Sequence, residues 1–399
     1  MKKYVFMTGL LAMSLGFVAC GDDPVNLNGG GDVTTIPEGT DDSRVTIEDN
    51  NIDVSSENVG NWMTYAQAVA TLLAKDADEL YTAWAEGYVL DGARKDAYMT
   101  TFKQQQSPYT SVNSCLEQII DGCIDIANEV GTAKIGEPRD YWEKGQYTDA
   151  VYAVESWYSF HSIDDYSNNI LSIRNSFNGS LDNREDSRSI AGYLRQHDNA
   201  LYTEVKGKLD AAYNAVHGMT YPFRSHIGSQ TVVTAMNACA DLCEVLENRL
   251  KPYFNDVHND DEALKAIVDG YVDNVVLPTY ARLREKTVSL QTVVRALAAS
   301  PSTDGFKLAA DAWMEAREPW ETSEAFLFGP VDEKGLDPNM DSWPLDVDAI
   351  KRVMESGRIE ELINWSEGDD EEQVEAVQNV RGFHTLEFLL FKDGKARMY

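Results

Sequence analysis

The chain has 399 residues, which is enough for one large or two ordinary domains with a sizeable core. It holds 66 Asp and Glu residues against 34 Lys and Arg residues, and the formal net charge of −32 argues against nucleic acid or an anionic lipid surface as a partner. The acidity predicts good solubility, and the functional alternative is a negative field that concentrates cations such as iron.

The N-terminus predicts a targeting segment. Two lysines precede an apolar run over residues 4–19, which is too short and too early for a stable membrane span. Residues 1–19 are therefore expected to be a signal peptide that is removed. The sequence Phe-Val-Ala-Cys that ends at Cys20 resembles a bacterial lipobox. This resemblance implies a membrane anchor through a lipid on Cys20.

The segment that follows predicts a flexible tether. Residues 20–57 are rich in Asp, Gly, Asn, Thr and Ser and hold few large apolar side chains, so burial cannot offset the entropy of ordering them. The acidic pair Asp22-Asp23 resembles the surface-export signals of Bacteroidetes lipoproteins. The expected location is the outer membrane, with the protein facing either the outside or the periplasm.

Beyond the tether, apolar residues recur at the spacing of amphipathic helices. Met63, Ala66, Ala70 and Leu73 set this period in the first helix. Helices are predicted over residues 62–86, 109–130, 148–175, 188–216, 228–254, 263–298, 305–327, 346–364 and 373–391. Sustained strand alternation is absent, and long helices with short links favour antiparallel bundles. The fold class is therefore predicted to be all-α.

Single residues predict several helix boundaries. Gly131 is expected to be the residue that ends the helix starting at Ser111. Pro278 and Pro319 are expected to kink or break the helices that contain them. Asp346 is expected to cap the helix that follows it rather than to bind a ligand.

The segment from Phe328 to Pro344 is the longest predicted irregular connection. Its seventeen residues include three prolines and two glycines. Loops of this length in compact domains are often functional, so the segment either lines a site or packs as an Ω-loop in which Trp343 fills a gap.

Four cysteines remain after Cys20, as Cys115/Cys123 and Cys239/Cys243. Their spacing does not resemble a zinc ribbon. The extracytoplasmic compartment permits disulfides, so the pattern predicts either free buried thiols or one structural bridge between the two pairs.

The last eighteen residues hold the pair that most directly indicates function. His384 and Glu387 are three residues apart on a predicted helix, so they share one face and could jointly hold a metal or a polar ligand. The spacing alone is weak, because a solvated pair has the same pattern. Gly382, which costs about 0.5–1 kcal/mol in a helix relative to Ala, would allow a backbone or a ligand to approach this turn closely.

The residues around this pair resemble a known family. Gly-Phe-His-Thr-Leu-Glu over residues 382–387 looks like the GxHxxE signature of the imelysin-like proteins, which are bacterial cell-envelope proteins associated with iron uptake. Residues 313–330 and 343–346 resemble the other strong signatures of that family, in the usual order. The resemblance implies two four-helix bundles related by pseudo-symmetry, with a partly open site in the groove between them.

The order of the signatures predicts a circular permutation. In the family, roughly half of the domain follows the GxHxxE segment, whereas this chain stops there. Residues 117–138 and 155–159 resemble the segments that normally follow it. We therefore expect residues 58–258 to correspond to the family's second half and residues 259–399 to its first half, with the ordered chain beginning close to where it ends.

The resemblance also implies a set of site residues. Glu129 and Ser156 occupy signature positions in the front half and are expected to face the His384 helix. Arg317 and Glu324 could line the site, although ion pairs outside it are the alternative. The expected ligand-contacting residues are Gly382, His384, Glu387, Glu129, Ser156, Arg317 and Glu324. His384 and Glu387 are the expected metal ligands, for iron or another divalent metal.

Three functions remain open at this point. The first is binding of iron or an iron-containing ligand, with an outer-membrane transport system as a possible partner. The second is a metallopeptidase with a His/Glu site, although the chain has no H-E-x-x-H motif. The third is an interaction scaffold without a small ligand.

Overall fold

The computed structural model describes residues 52–365 and 370–399. These residues belong to one compact unit, Glu38–Tyr399. The predicted signal peptide, the lipid anchor at Cys20 and nearly all of the tether lie outside the described residues. Among the described helices, none is both long and apolar enough to cross a membrane.

The fold is helical, as the sequence predicts. Up to residue 255 the helices are α1 (Val59–Ala85), α2 (Tyr98–Lys103), α3 (Val112–Glu129), α4 (Gly136–Glu143), α5 (Tyr147–Tyr152), α6 (Ser162–Asn178), α7 (Ile190–His197), α8 (Asn199–His217), α9 (Gln230–Val245) and α10 (Lys251–Asn255). The later helices are α11 (Asp261–Tyr271), α12 (Leu277–Ala299), α13 (Thr303–Glu321), α14 (Pro330–Glu333), α15 (Leu336–Asp341), α16 (Val347–Ser356), α17 (Ile359–Leu362), α18 (Glu371–Gln378) and α19 (Gly382–Leu390).

The remaining regular elements are short. Two antiparallel hairpins pair β1 (Tyr88–Leu90) with β2 (Ala93–Lys95) and β3 (Phe391–Lys392) with β4 (Lys395–Ala396). Single π-helical turns, Val130–Lys134, Leu246–Leu250 and Val272–Val276, connect α3 to α4, α9 to α10 and α11 to α12. Single 3₁₀ turns are Phe223–Ser225 and Glu324–Phe326.

The helix that starts after Ser111 does not end at Gly131, so that prediction is wrong. Helix α3 does begin after Ser111, which caps it with a capping box. Gly131 lies inside the π-helical turn, and a Cβ there would be 2.9 Å from Cys239 Cβ on α9. This glycine therefore permits close packing of two helices instead of ending one.

Neither proline breaks the helix that contains it, while a kink at either one stays a prediction. Pro319 lies inside α13, and the helix continues to Glu321. Pro278 stands in the first turn of α12, directly after a π-helical turn, where its missing N–H is tolerated. The backbone adapts to Pro278 through that wider turn.

Several predicted helices are interrupted, including those over residues 346–364 and 373–391, and one interruption builds the site. The helix predicted over residues 148–175 stops at Tyr152 and resumes at Ser162. Ser156 and Phe160 between them have φ of 53° and 62°, a left-handed conformation that no α-helix accommodates. The helix predicted over residues 188–216 breaks at Asp198, whose side chain caps α8.

The segment from Phe328 to Pro344 is not an irregular loop, because it contains the short helices α14 and α15. Trp343 follows α15 and packs edge-on against His384, with ring centroids 4.9 Å apart. Asp346 caps α16 by accepting a hydrogen bond from Ala349 N at 2.8 Å, as predicted. The segment therefore carries its side chains on defined helical turns.

Helices from both parts of the chain pack together. Helices α1, α12, α13 and α19 each contact two of the others, and the same holds for α3, α6, α8 and α9. Helix α13 contacts α6, which joins the two groups. Thus α1, from the front part, packs among helices of the last 140 or so residues. The all-α class is confirmed, and the count of two pseudo-symmetric bundles stays a prediction.

The start and the end of the described chain lie side by side. Trp62 Nε1 donates to Leu389 O at 3.0 Å, and Arg397 Nη1 donates to Ile52 O at 2.7 Å. Lys392 pairs with Asp53 at 2.8 Å. This proximity is what a circular permutation requires, while the permutation itself stays a prediction.

All four described cysteines are free thiols. The structure therefore has no disulfide between the pairs Cys115/Cys123 and Cys239/Cys243. Cys115, Cys123 and Cys239 are buried, and burial raises the pKa of each thiol to about 12. They are therefore neutral and pack as small apolar residues.

Candidate functional site

Helix α19 places His384 and Glu387 in the interior. Every residue of α19 is buried, and both side chains have 0% relative exposure. The expectation of a partly open position for this pair is therefore wrong. The cause is the apolar sequence around them, because Phe383, Leu386 and Phe388 require burial on the other sides of the same short helix.

Gly382 is needed where α19 begins. Its φ is +83°, and a Cβ there would overlap the Met340 carbonyl oxygen and lie 2.7 Å from the Met340 carbonyl carbon. The glycine therefore lets the end of α15 approach the start of α19. Its role is to bring Asp341 next to His384, and it makes this approach to a backbone rather than to a ligand.

Both ring nitrogens of His384 face carboxylates. Nδ1 lies 3.1 Å from Glu387 Oε2. Nε2 lies 3.2 Å from Glu155 Oε1 and 3.1 Å from Asp341 Oδ1. The protonated ring can therefore donate a hydrogen bond on each side.

Arg317 on α13 is the central cation of this network. Its guanidinium pairs with Glu155 Oε1 at 2.8 Å, Asp165 Oδ2 at 3.2 Å and Glu321 Oε1 at 2.6 Å. It also pairs with Asp341 Oδ1, whose second oxygen accepts from Trp320 Nε1 at 2.6 Å. Arg317 is fully buried, so its charge is balanced by these carboxylates and not by water.

Glu387 and Ser156 each orient another side chain of the network through a hydrogen bond. Glu387 Oε1 accepts from the backbone N and from Oγ of Ser159, both at 2.8 Å. Ser156 Oγ donates to Asp165 Oδ2 at 2.6 Å. Glu387 thus fixes the His384 ring from behind, and Ser156 orients a carboxylate that pairs with Arg317.

An open cavity of about 720 Å³ lies next to this network. Glu155, Asp341 and Trp343 line it, whereas His384 lies behind them. The acidic residues of its lining are Glu129, Glu137, Asp149, Glu155, Glu324, Asp337 and Asp341. Among the described lining residues, Lys134 is the one with a positive charge.

The cluster holds more carboxyl groups than cations, and burial together with this excess raises the pKa values of several of the carboxyl groups. Burial, with the neighbouring carboxylates, raises the pKa of Asp337 to about 7 and raises the pKa values of Glu321 and Glu324 well above their usual range. Burial acts in the same direction on Glu155, but Lys134 and the His384 hydrogen bond outweigh it and lower its pKa to about 2. These pKa shifts favour the ionised form of Glu155 and the protonated forms of Asp337, Glu321 and Glu324, whose protons a bound cation could replace.

His384 is an imidazolium in this setting. Burial and the Arg317 charge act to lower its pKa, but the Asp341 charge and hydrogen bonds to Asp341 and Glu155 raise it well above the ordinary value of 6.5. The ring is therefore held as a buried cation between carboxylates.

This assignment predicts the pH dependence of stability. Below about pH 6.5 both folded and unfolded His384 are protonated, and the contribution is fully present. Above it the unfolded histidine loses its proton while the folded one keeps it, so the contribution of His384 to the free energy of unfolding should fall by about 1.4 kcal/mol per pH unit up to the folded pKa. This fall adds to that from carboxyl groups whose pKa burial raises, such as Asp337. Urea unfolding across this range checks the slope. The His384→Gln variant should have a shallower slope, and equal slopes would contradict a buried imidazolium.

The structure gathers most of the residues that the sequence singles out. Glu129 and Glu324 line the cavity, and Arg317 lies at the centre of the ion network. Ser156 lies in a turn and not on a helix as expected, and it contacts Asp165 instead of the cavity. Gly382 contributes packing, and Glu387 contributes a hydrogen bond to the imidazole.

Sequence reasoning missed the carboxylates that contact His384 Nε2. Glu155 directly precedes Ser156 in a segment that resembles the family, and Asp341 lies in the segment 328–344, which the sequence predicts either to line a site or to pack as an Ω-loop. Both are acidic residues inside segments that the sequence already singles out, so they could have been named as candidates. Their contact with His384 depends on the turn at residues 153–161 and on α15, neither of which the sequence pattern predicts.

The donor atoms present fit a divalent transition metal. His384 Nε2, Glu155 and Asp341 offer one nitrogen and two carboxylate ligands within 4.8 Å of one another, and Glu321, Glu324 and Asp341 form a second such group. Imidazole with carboxylate suits iron and zinc. Arg317 Nη2 lies 3.3 Å from His384 Nε2, so a metal at this nitrogen would displace both the ring proton and that contact.

Comparison with known proteins agrees with this architecture. The sequence matches the family described as "Peptidase_M75: Imelysin" over residues 40–249 and 276–398. The crystal structure of an imelysin peptidase from Bacteroides ovatus has 50% sequence identity and a TM-score of 0.84, covering 88% of this chain and 99% of that one.

A curated relative is Iron-regulated protein A from Synechococcus elongatus, which is 28% identical over 166 residues. That match covers 41% of this chain and 37% of the cyanobacterial protein, so the chain spans little more than a third of the length of that relative. From the family match over both parts of the chain and the likeness to a solved structure along nearly its whole length, we conclude that the chain belongs to the imelysin family.

Proposed function

We propose that this protein is a cell-envelope lipoprotein that binds iron, or an iron-containing ligand, in the acidic cavity beside His384. The observation that carries this proposal is the group of His384, Glu155 and Asp341, whose donor atoms lie within 4.8 Å of one another at the cavity wall. Similarity to a protein named Iron-regulated protein A supports an iron-related role. The lipobox ending at Cys20 supports an outer-membrane anchor, from which the ligand could pass to an outer-membrane transport system.

The protein groups have distinct tasks in this proposal. Glu155 and Asp341 present carboxylate oxygens to the cavity, and Arg317 holds both in place. Glu387, fixed by Ser159, orients the imidazole from its Nδ1 side. A bound metal supplies the positive charge that the carboxylate cluster lacks, so protons on groups such as Asp337 should be released on binding.

Titration of the purified protein with Fe²⁺ under anaerobic conditions, followed by calorimetry, tests the proposal. The double variant Glu155→Gln/Asp341→Asn should lose about a hundredfold or more in affinity, because two charged ligands become neutral amides. A matched control is Glu315→Gln/Glu318→Gln, which removes the same charge from exposed ion pairs on α13 and should bind like the parent. Circular dichroism confirms that each variant is folded.

Two results would overturn the proposal. The first is a parent protein that binds neither Fe²⁺ nor Zn²⁺ nor haem, which would favour an interaction scaffold. The second is a double variant that binds iron as tightly as the parent, which would place the ligand elsewhere.

A metallopeptidase is the second candidate, because the Bacteroides ovatus relative is described as an imelysin peptidase. Three protein ligands and an adjacent carboxylate are what a hydrolytic zinc site requires, and Glu129 or Glu324 at the cavity could act as the base. Zn-dependent hydrolysis of unfolded protein substrates, abolished in the same double variant, would support it over simple binding.

A further inference from the structure

Lys134 occupies a position that a metal cation could otherwise take. It ends the π-helical turn Val130–Lys134, and its Nζ lies 3.2 Å from Glu155 Oε2, 3.9 Å from Glu324 Oε1 and 3.9 Å from Glu129 Oε1. Its side chain is only 9% exposed, although it lines an open cavity. The ammonium group therefore lies within 4 Å of three carboxyl groups.

One of these carboxylates has few other partners. The Glu324 side chain is 6% exposed and accepts no hydrogen bond from any residue in the described ranges. The cation paired with it is Lys134 Nζ. Burial already favours a proton on Glu324, and without that ammonium the ionised form would be favoured only if another cation arrived in its place.

An all-carboxylate position of this kind favours hard cations. Calcium takes six to eight oxygen ligands, and sites with several carboxylates bind it at the concentrations found outside cells. Transition metals gain more from imidazole, which only the position at His384 offers. The cavity thus has one part suited to calcium and another suited to iron, and the two share Glu155.

We propose that Lys134 is a tethered cation that excludes calcium and other hard divalent ions from the part of the cavity bounded by Glu129, Glu155 and Glu324. The choice of iron in the proposed function then depends on this residue, and the exclusion of calcium can be measured separately from iron binding. Lys134 is in this sense a specificity-determining residue, which acts through the charge it places at the cavity wall.

Electrostatics keeps this cation in its charged form. Burial acts to lower the pKa of Lys134, but Glu155, Glu324, Glu321 and Glu129 outweigh it and raise the pKa well above its ordinary value. A competing ion must therefore displace a charge that lies 3.2 Å from Glu155 Oε2.

The test is calcium titration of the parent and of Lys134→Met, by calorimetry and by the thermal unfolding midpoint. The parent is expected to show no calcium binding up to millimolar concentrations. Lys134→Met should bind calcium at least about tenfold more tightly than the upper limit set for the parent, and it should gain stability with added calcium. Lys134→Arg, which keeps the charge, should behave like the parent. Lys208→Met removes a lysine from an exposed pair with Asp241 and should have no effect on calcium binding.

The outcomes separate this inference from the proposed function. Equal calcium affinity in the parent and Lys134→Met overturns the inference, whatever the iron titration gives. A Lys134→Met protein that folds only with calcium supports it, and one that stays unfolded at every calcium concentration counts against it. If Lys134→Met binds calcium while the parent binds no iron, the inference is supported and the iron proposal is refuted.

Discussion

The Arg317→Met variant is expected to lose a large part of the stability of the protein. Arg317 is fully buried and pairs with Glu155, Asp165, Glu321 and Asp341. Removing one partner from a buried ion pair costs about 3–5 kcal/mol, because the remaining charge is left uncompensated. Here four carboxylates lose a partner, so the loss should be at least of that size against a total stability of about 5–15 kcal/mol.

Urea unfolding measures this loss, and a surface arginine provides the control. Arg282 pairs with Glu318 at 2.9 Å, and both side chains are nearly half exposed. The Arg282→Met variant should therefore lose only about 0–1 kcal/mol. Similar small losses in the two variants would show that the buried carboxylates take up protons at little cost and that Arg317 is not the centre of the network.

The Gly382→Ala variant is expected to lose several kcal/mol and to disturb the site as well. A non-glycine residue in a left-handed conformation costs about 1–3 kcal/mol, and forcing a methyl group into close-packed surroundings costs about 1–3 kcal/mol more. The new Cβ would overlap the Met340 carbonyl, so α15 and α19 must separate. That movement would pull Asp341 away from His384 and weaken metal binding along with stability.

Thermal or urea unfolding and Fe²⁺ titration of the same variant check both parts of this prediction. Gly207→Ala is the matched control, because Gly207 lies in the middle of α8 and a Cβ there meets nothing within 4 Å. That variant should be stabilised by about 0.5–1 kcal/mol, since alanine loses less entropy in a helix. Unchanged stability in Gly382→Ala would mean that the contact between α15 and α19 is loose.

The candidate site was predictable in part from local signals. His384 and Glu387 stand out through their spacing, and Arg317, Glu324 and Glu129 through their resemblance to family signatures. Their exposure was not predictable, because the pattern of a solvated pair and that of a buried pair are the same in sequence. Burial follows from the packing of α19 between α1 and α13, which brings in residues from distant parts of the chain.

Local sequence signals determined the all-α class and the cap at Asp346, and the resemblance of residues 382–387 to a family signature singled out His384, since all of these depend on residues close together in the chain. Only the tertiary structure decided that Glu155, Asp341 and Lys134 meet at one cavity. Their contacts cross as many as 229 residues, as between His384 and Glu155. They exist because a left-handed turn interrupts one helix and Gly382 admits the backbone of another, and neither event leaves a periodic trace in the sequence.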